Sequence, residues 1–268
     1  MTAKKQSYDR SATTGETLID VAERLYAERG IDAVSMREIS RCAGQKNSSA
    51  LQYHFESKEA LIEAILIRRM NALDYRRLEY LDDLESRGKL DDLRYLVAAL
   101  VKPLAGDLQT AKRPSTGSCY IGFLSEVQRH PNYDLFTLGK KASSVGLSRL
   151  YRLINKQLAQ LPEAVIRQRF AMAISQIVHG LAEFERISSR RRGSRRPFDL
   201  ERAVANLIDM ITGALVAPMS TDVAERVRRH GASIVSDLDH APSPTGRRST
   251  AGPVIRRQTT DPERPTSR

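Results

Sequence analysis

One segment of the 268-residue chain, residues 35–55 with the sequence SMREISRCAGQKNSSALQYHF, constrains the fold more than any other. Ser35 and Glu38 form the capping-box pattern that begins a helix. Gly44 ends this helix, because glycine accepts the left-handed backbone conformation of a helix end without a Cβ penalty. A polar turn and a second short helix follow. Two short helices joined by a glycine-containing turn predict a helix-turn-helix unit, whose second helix would enter the DNA major groove.

A preceding helix completes this unit. Residues 17–29 carry apolar side chains at helical spacing, and Gly30 ends the pattern. We expect this helix to bury its apolar stripe against the two short helices, which gives a DNA-binding domain over residues 15–60. Residues 1–14 are polar and show no periodicity, so we expect a flexible N-terminal arm.

The rest of the chain is expected to be helical, so the predicted fold class is all-α. No window alternates with a period of two for long enough to indicate a strand. Apolar spacing predicts a long helix that begins at Ser57, a kink or break at Pro103, and two last main helices at about residues 164–187 and 199–217. These lie in a larger helical domain over residues 61–238. Residues 239–268 are rich in proline, serine, threonine and arginine, a composition typical of a disordered tail.

The net charge of +11 and the pI near 9.9 permit binding to a polyanion. Within residues 16–60, however, acidic side chains outnumber basic ones, and the excess of positive charge lies in an arginine run and in the tail. The arginine-rich segment 188–197 is either a polyanion site or a solvated connection, and both interpretations stay open. DNA binding is therefore predicted from the positions of particular side chains and not from the pI.

Short polar side chains at the start of a helix can reach base edges in the major groove, and glutamine or asparagine can pair with adenine. The residues expected to face the bases are Asn47, Ser48, Ser49 and Gln52. Lysines and arginines beside the helix starts are placed to meet phosphates, as are the backbone amides there. The residues expected to contact phosphates are Arg37, Arg41, Lys46 and Lys58.

The sequence shows no pattern that indicates an enzyme. It contains no phosphate-cradling glycine loop, no nucleophile elbow and no paired-histidine zinc motif, and its five histidines share no ligand spacing. The two cysteines are far apart and suit a reducing compartment. No apolar run approaches the ~20 residues of a membrane span, and the start lacks a signal peptide. We therefore expect a cytoplasmic protein without a cofactor, metal site or membrane association.

The order of these features resembles the TetR family of bacterial transcriptional regulators over about residues 15–67. The matching features are a helix ending in Arg-Gly, a capped helix ending in Ala-Gly, a short helix ending in Tyr-His-Phe, and then Ser-Lys-Glu-Ala-Leu. Between Gly44 and Phe55 the chain has one residue more than the common pattern, as a sub-group of the family does. The resemblance implies that Tyr53 and His54 lie near the DNA backbone and that Phe55 belongs to the core.

The resemblance also implies a homodimer formed by the last two main helices, with a ligand pocket among the intermediate helices. The candidate lining residues are Leu100, Leu104, Tyr120, Phe123, Phe136, Met172, Gln176 and His179. The expected function is a repressor that binds double-stranded DNA at a palindromic operator and is released by an unknown small-molecule effector. The alternative is a ligand-independent activator or architectural DNA-binding protein of the same fold.

Overall fold

The computed structural model describes residues 2–45, 54–110, 119–134, 141–142, 144–190 and 197–230. All regular structure in these ranges is helical, which confirms the all-α prediction. The nine helices in the described ranges are α1 (Thr2–Arg29), α2 (Met36–Cys42), α3 (Lys58–Ser86), α4 (Leu93–Thr110), α5 (Tyr120–Arg129), α6 (Val145–Gln157), α7 (Glu163–Arg190), α8 (Leu200–Val216) and α9 (Thr221–His230).

Local capping explains why several helices begin and end where the sequence predicts. The side chains of Ser35, Ser57 and Asp199 each accept a hydrogen bond from the backbone N–H three residues later, at 3.2, 3.1 and 3.0 Å. These bonds satisfy donors that the first helical turn leaves unpaired. Gly30 and Gly44 have φ angles of 83° and 70°, which is the left-handed conformation expected at a helix end.

Three helical features differ from the prediction. Helix α1 begins at Thr2, so residues 2–14 continue the helix that the sequence predicts for residues 17–29. The segment has no apolar stripe to signal a helix, but extension of a helix that packing already holds costs little, because nucleation is the costly step. Helix α4 continues through Pro103 without a break. The sequence analysis does not predict α9, because its ten residues are mostly polar and carry no long apolar stripe.

The other predicted helices within the described residues hold to within a few residues. A single helix, α3, runs from Lys58 to Ser86, and α7 and α8 match the two predicted last main helices. The arginine-rich segment lies largely outside the described residues, as does the predicted C-terminal tail.

One hydrophobic core joins the helices from α1 to α8, within a compact unit that spans residues 1–227. The most extensive helix pairs are α1 with α5, α7 with α8, and α4 with α8. Helix α3 is about 44 Å long at 1.5 Å per residue, and it packs against α1, α4 and α6. The predicted boundary at residue 60 therefore falls in the first turn of a helix that belongs to both parts of the molecule.

Paired charges tie α3 to its neighbours. Arg69 donates to both carboxylate oxygens of Glu23 in α1, at 2.6 and 2.7 Å, and Glu23 is only 2% exposed. Arg76 donates to Asp107 in α4 at 2.7 Å. Removing one partner of a buried pair is strongly destabilising, because it leaves an uncompensated charge out of water. These contacts therefore define how α1 and α4 are placed along α3.

A buried carboxylate of α3 also caps the start of α6. Asp74 accepts hydrogen bonds from the backbone N–H groups of Gly146 and Leu147, both at 2.9 Å, and is 1% exposed. Ser144, the residue in the local cap position, makes no capping bond with its side chain. Negative charge is stabilised at a helix N-terminus, where unpaired amides point outward. The cap of α6 is thus supplied by another helix, which requires a close approach of the two backbones.

We expect Gly146→Ala to destabilise the protein by about 1–3 kcal/mol, since overpacking forces backbone shifts. A Cβ at this position would lie 2.9 Å from an oxygen of the Asp74 carboxylate and 3.0 Å from the Asp74 carbonyl oxygen. Chemical denaturation measures the change in unfolding free energy. Gly106→Ala in α4 is the control, because its Cβ would meet only the end of Arg76, at 3.8 Å. An equal effect of both substitutions would contradict the proposed role of the close approach.

Candidate nucleic-acid interface

The structure describes the frame around the predicted recognition segment. Residues 46–53 lie outside the described residues, so the predicted contacts of Lys46, Asn47, Ser48, Ser49, Gln52 and Tyr53 fall there. Helix α2 leads into this segment, and His54 and α3 follow it. The interface can therefore be built from the residues on either side.

One face of helix α2 is buried against the core, and another face is exposed to solvent. Val34, just before α2, and Ile39, within it, are both fully buried. Arg29 at the end of α1 pairs with Glu38 at 2.5 Å, which ties the two helices together. Arg37 is exposed, and the side chain of Arg41 is 78% exposed and 3.6 Å from Glu38. Both guanidinium groups are thus accessible to a phosphate.

The end of the Tyr-His-Phe segment lies against α1. The Nδ1 atom of His54 is 3.6 Å from the position that a Cβ on Gly15 would occupy. His54 is half-buried, and its ring centroid is 6.2 Å from that of Phe55, which packs against the core. Helix α1 therefore contacts both α2, which precedes the recognition segment, and His54, which directly follows it.

Lys58 occupies the first turn of α3, as the sequence predicts, but its ammonium group has neighbours of its own. Its Nζ lies 5.8 Å from the centre of the Tyr26 ring, a cation–π geometry. Its charge contributes to the lowered pKa values of Asp32 and Glu59, whose largest causes are the hydrogen bond from His130 for Asp32 and a backbone hydrogen bond for Glu59. A phosphate contact by Lys58 would therefore compete with these intramolecular interactions.

Four of the predicted effector-lining residues lie together in the closed core. Leu100 and Leu104 on α4 and Tyr120 and Phe123 on α5 are at most 4% exposed. Burial raises the pKa of the Tyr120 hydroxyl above its usual range. All four side chains belong to the hydrophobic core, as ordinary core residues do.

The other predicted lining residues do not join this group. Met172 and Gln176 are exposed on α7, in a shallow depression that they line with Ala171 and Ser175. His179 is half-buried, with its Nδ1 atom 3.0 Å from the hydroxyl of Ser125 on α5. Phe136 lies outside the described residues. The structure thus separates the seven described candidates into a core group, an outer group on α7 and a polar contact between α5 and α7.

Sequence reasoning missed a polar junction between α5 and the elements around the recognition segment. These elements are the turn between α1 and α2, helix α2 and the first turn of α3, which together we call the helix-turn-helix frame. His130, just after α5, contacts Asp32 in the turn between α1 and α2, with 3.0 Å between Nε2 and Oδ1. Tyr133 donates a hydrogen bond to Glu59 in α3 at 3.3 Å. The first pair is separated by 98 positions and the second by 74, so no local pattern signals either contact.

Other chemistry is sparse in the described ranges. They contain no group of three or more histidine, cysteine or carboxylate side chains that could hold a metal ion. Burial raises the pKa of Cys119 to about 11, whereas Cys42 is exposed. No single described helix is both long and apolar enough to span a membrane, although α8 and α9 taken together meet that length and composition test with a 59° bend between them.

Comparisons with known proteins match both parts of the chain. The family model for bacterial regulatory proteins of the tetR family matches residues 18–65. The model for the tetracyclin repressor-like C-terminal domain matches residues 94–214. The HTH-type transcriptional repressor KstR2 of Rhodococcus jostii (strain RHA1) is 37% identical over 89 residues, which is 32% of this chain and 43% of that protein. The chain thus matches less than half the length of this relative.

The fold is also similar to a solved structure. The crystal structure of a tetR family transcription regulator from Shewanella sp. PV-4 superimposes with a TM-score of 0.53 and 19% sequence identity. The match covers 75% of this chain and 97% of the other. At this identity the likeness supports the arrangement of helices and nothing more specific.

Proposed function

Because the chain belongs to the TetR family of bacterial transcriptional regulators, we propose that it is a homodimeric repressor released from a palindromic operator by a small-molecule effector. The observation that carries the DNA-binding role is the frame around residues 46–53. An ion pair between Arg29 and Glu38 joins α2 to α1, and the side chain of Ser57 caps the start of α3. A recognition segment needs such a frame, because loosely held side chains read base edges poorly.

In this proposal, the two subunits place their recognition segments in major-groove half-sites ~34–36 Å apart, or a multiple of that distance. Polar side chains of residues 47–52 read base edges. Exposed arginines of α2 and Lys58 neutralise phosphates and position the protein without reading sequence. The similarity to KstR2, which is a repressor, supports repression over activation.

We expect Gln52→Ala to relax sequence preference at one base position by about 1–3 kcal/mol. We expect Lys58→Ala to weaken binding to all duplexes alike and to lower the salt slope by about 1. Fluorescence anisotropy with a duplex selected from a random pool, over a range of salt concentrations, measures both effects. Lys156→Ala, an exposed lysine of α6, is the control. Unchanged binding by both test variants would show that the assigned face is wrong.

An exposed apolar surface on α7 and α8 supports the dimer. Met172 is 55% exposed, and Met210 and Val216 on α8 are 63% and 47% exposed. The two helices pack closely, since a Cβ on Gly180 would lie 3.4 Å from Leu207. Exposed apolar side chains on a paired helix face are typical of a surface that another protein covers. In a two-fold dimer the same face of a second copy can cover it.

We expect Met210→Glu to shift the protein from dimer to monomer and to weaken operator binding, because a carboxylate would be buried without a partner in the interface. Sedimentation velocity measures the oligomeric state. Tyr75→Glu is the matched control, since Tyr75 is also 63% exposed but lies on α3. A dimer that survives Met210→Glu, or dissociates equally with Tyr75→Glu, would place the interface elsewhere.

The effector is proposed to act by separating α5 from its neighbours. Leu100 and Phe123 lie in a closed apolar core, while two polar contacts, Ser125 with His179 and Gln128 with Ser175, join α5 to α7. A hydrophobic molecule with one hydrogen-bonding group matches this combination. Such a ligand shifts the equilibrium only by its differential affinity for the operator-bound and released states.

A thermal-shift screen of lipid-like and aromatic compounds is expected to find ligands that raise the melting temperature, because a ligand at 100 times its Kd stabilises the fold by about 2.7 kcal/mol. The same compounds should weaken binding to the selected duplex. Stabilising compounds that leave duplex affinity unchanged would favour the ligand-independent activator or architectural protein.

A further inference from the structure

The end of α5 faces the turn between α1 and α2 across an open cleft of about 320 Å³. Side chains of Arg29 and Asp32 line one wall, and those of Glu126 and His130 line the other. Polar side chains bridge this cleft, so the two walls can separate without opening the apolar core. The junction lies between the part of the chain matched to regulatory domains and the helix-turn-helix frame.

His130 makes two directional hydrogen bonds at this cleft. Its Nδ1 accepts from the backbone N–H of Asn132 at 3.2 Å, so Nε2 carries the hydrogen that is donated to Asp32 at 3.0 Å. The His130 side chain is 10% exposed, and its ring centroid lies 4.3 Å from that of Tyr133. The His130 ring is thus held in one orientation, with its Nε2 atom facing the turn between α1 and α2.

Tyr133 makes the second bridge, to the first turn of α3. Its hydroxyl donates to Glu59 at 3.3 Å. Burial raises the pKa of Tyr133 to about 12, and the nearby Glu59 carboxylate adds to this rise, so the hydroxyl remains a donor at neutral pH. His130 and Tyr133, whose rings are in contact, therefore reach two different elements of the DNA-binding frame.

Those two elements lead to the two ends of residues 46–53, the turn through α2 and the start of α3 directly. The α1–α2 turn moves together with α2, because Ile31 and Val34 are 2% and 0% exposed and Arg29 is paired with Glu38. Glu59 belongs to the first turn of α3, which follows the segment. A displacement of the end of α5 would therefore be passed to the entry and to the exit of the recognition segment.

Helix α5 also packs tightly on α1. The rings of Tyr26 and Phe123 stack with centroids 6.1 Å apart. A Cβ on Gly122 would lie only 3.2 Å from the Cβ of Ala27. The start of α5 is therefore packed tightly on α1, whereas the residues after its end make only polar contacts with the frame. If α5 pivots on α1, the displacement is largest at His130 and Tyr133.

We propose that the pairs His130–Asp32 and Tyr133–Glu59 form a latch through which α5 controls the affinity of the helix-turn-helix frame for DNA. This route runs through the α1–α2 turn and is additional to the continuous helix α3. The proposal rests on the DNA-binding function proposed above. An exposed pair contributes little to global stability, and the Asp32 side chain is 86% exposed. Breaking the latch therefore changes the balance between two placements of the frame more than it changes folding.

The test is a double-mutant cycle on the full-length dimer, with a duplex that the wild type selects from a random pool. Fluorescence anisotropy gives the Kd of the wild type, Asp32→Ala, His130→Ala and the double variant. We expect each single substitution to change the Kd by about 2- to 5-fold, the range that the loss of one exposed pair allows. The sign reports which state the latch holds. The double variant should match the single variants, because either change alone opens the latch.

Independent effects that simply multiply in the double variant would overturn the latch, and so would a Kd unchanged by both single variants. A direct repulsion between Asp32 and DNA would persist in the His130→Ala background, which separates it from the latch. Arg149→Gln is the control, since it breaks an exposed contact of 2.6 Å between α6 and Asp82 at the far end of α3. Its Kd should equal that of the wild type.

Tyr133→Phe tests the second bridge with a minimal change, because it removes only the hydroxyl that reaches Glu59. It serves as the decisive variant if circular dichroism shows that His130→Ala does not fold. We expect a change in Kd of the same sign as that of Asp32→Ala, and an unchanged Kd would overturn the role of Tyr133. A wild type that selects no duplex from the pool would instead contradict the proposed DNA-binding function.

Discussion

The arrangement of this molecule depends on the pairing of buried charges along α3. Glu23 and Asp74 are almost completely buried, and each is bound by groups from other elements. An apolar contact tolerates a shift of one helix along another, whereas a buried carboxylate requires its donors at fixed positions. The charges therefore define one alignment of α1 and α6 on α3. Hydrophobic burial supplies most of the stability, but it does not select this alignment.

The junction at the end of α5 has the opposite character. Its contacts are directional, the Asp32 side chain is 86% exposed, and an open cleft separates the walls that they bridge. Regions with few buried apolar contacts open at low free energy, which suits a part that must move while the core stays intact. A regulator needs both properties, since the frame must hold its shape on DNA and still respond to a change in the larger domain.

Most of the fold could be predicted because its signals are local. Capping at Ser35, Ser57 and Asp199, and helix ends at Gly30 and Gly44, need only a few neighbouring residues to take effect. The errors also have local causes. The polar extension of α1 carries no apolar stripe, and local sequence around Pro103 does not show that α4 continues through it. The base-reading residues of the segment 46–53 remain a prediction from sequence.

By itself, the sequence determined the helices, their order and the helix-turn-helix pattern, because turns and caps act over three or four residues. Only the tertiary structure decided which side chains meet across the chain. The cap that Asp74 provides for α6 spans 72 positions, and the contact between His130 and Asp32 spans 98. It also placed Met172 on an outer surface and Phe123 in the core, although both are apolar residues at helical spacing. Such differences depend on which neighbouring helix covers a face, and no local pattern carries that information.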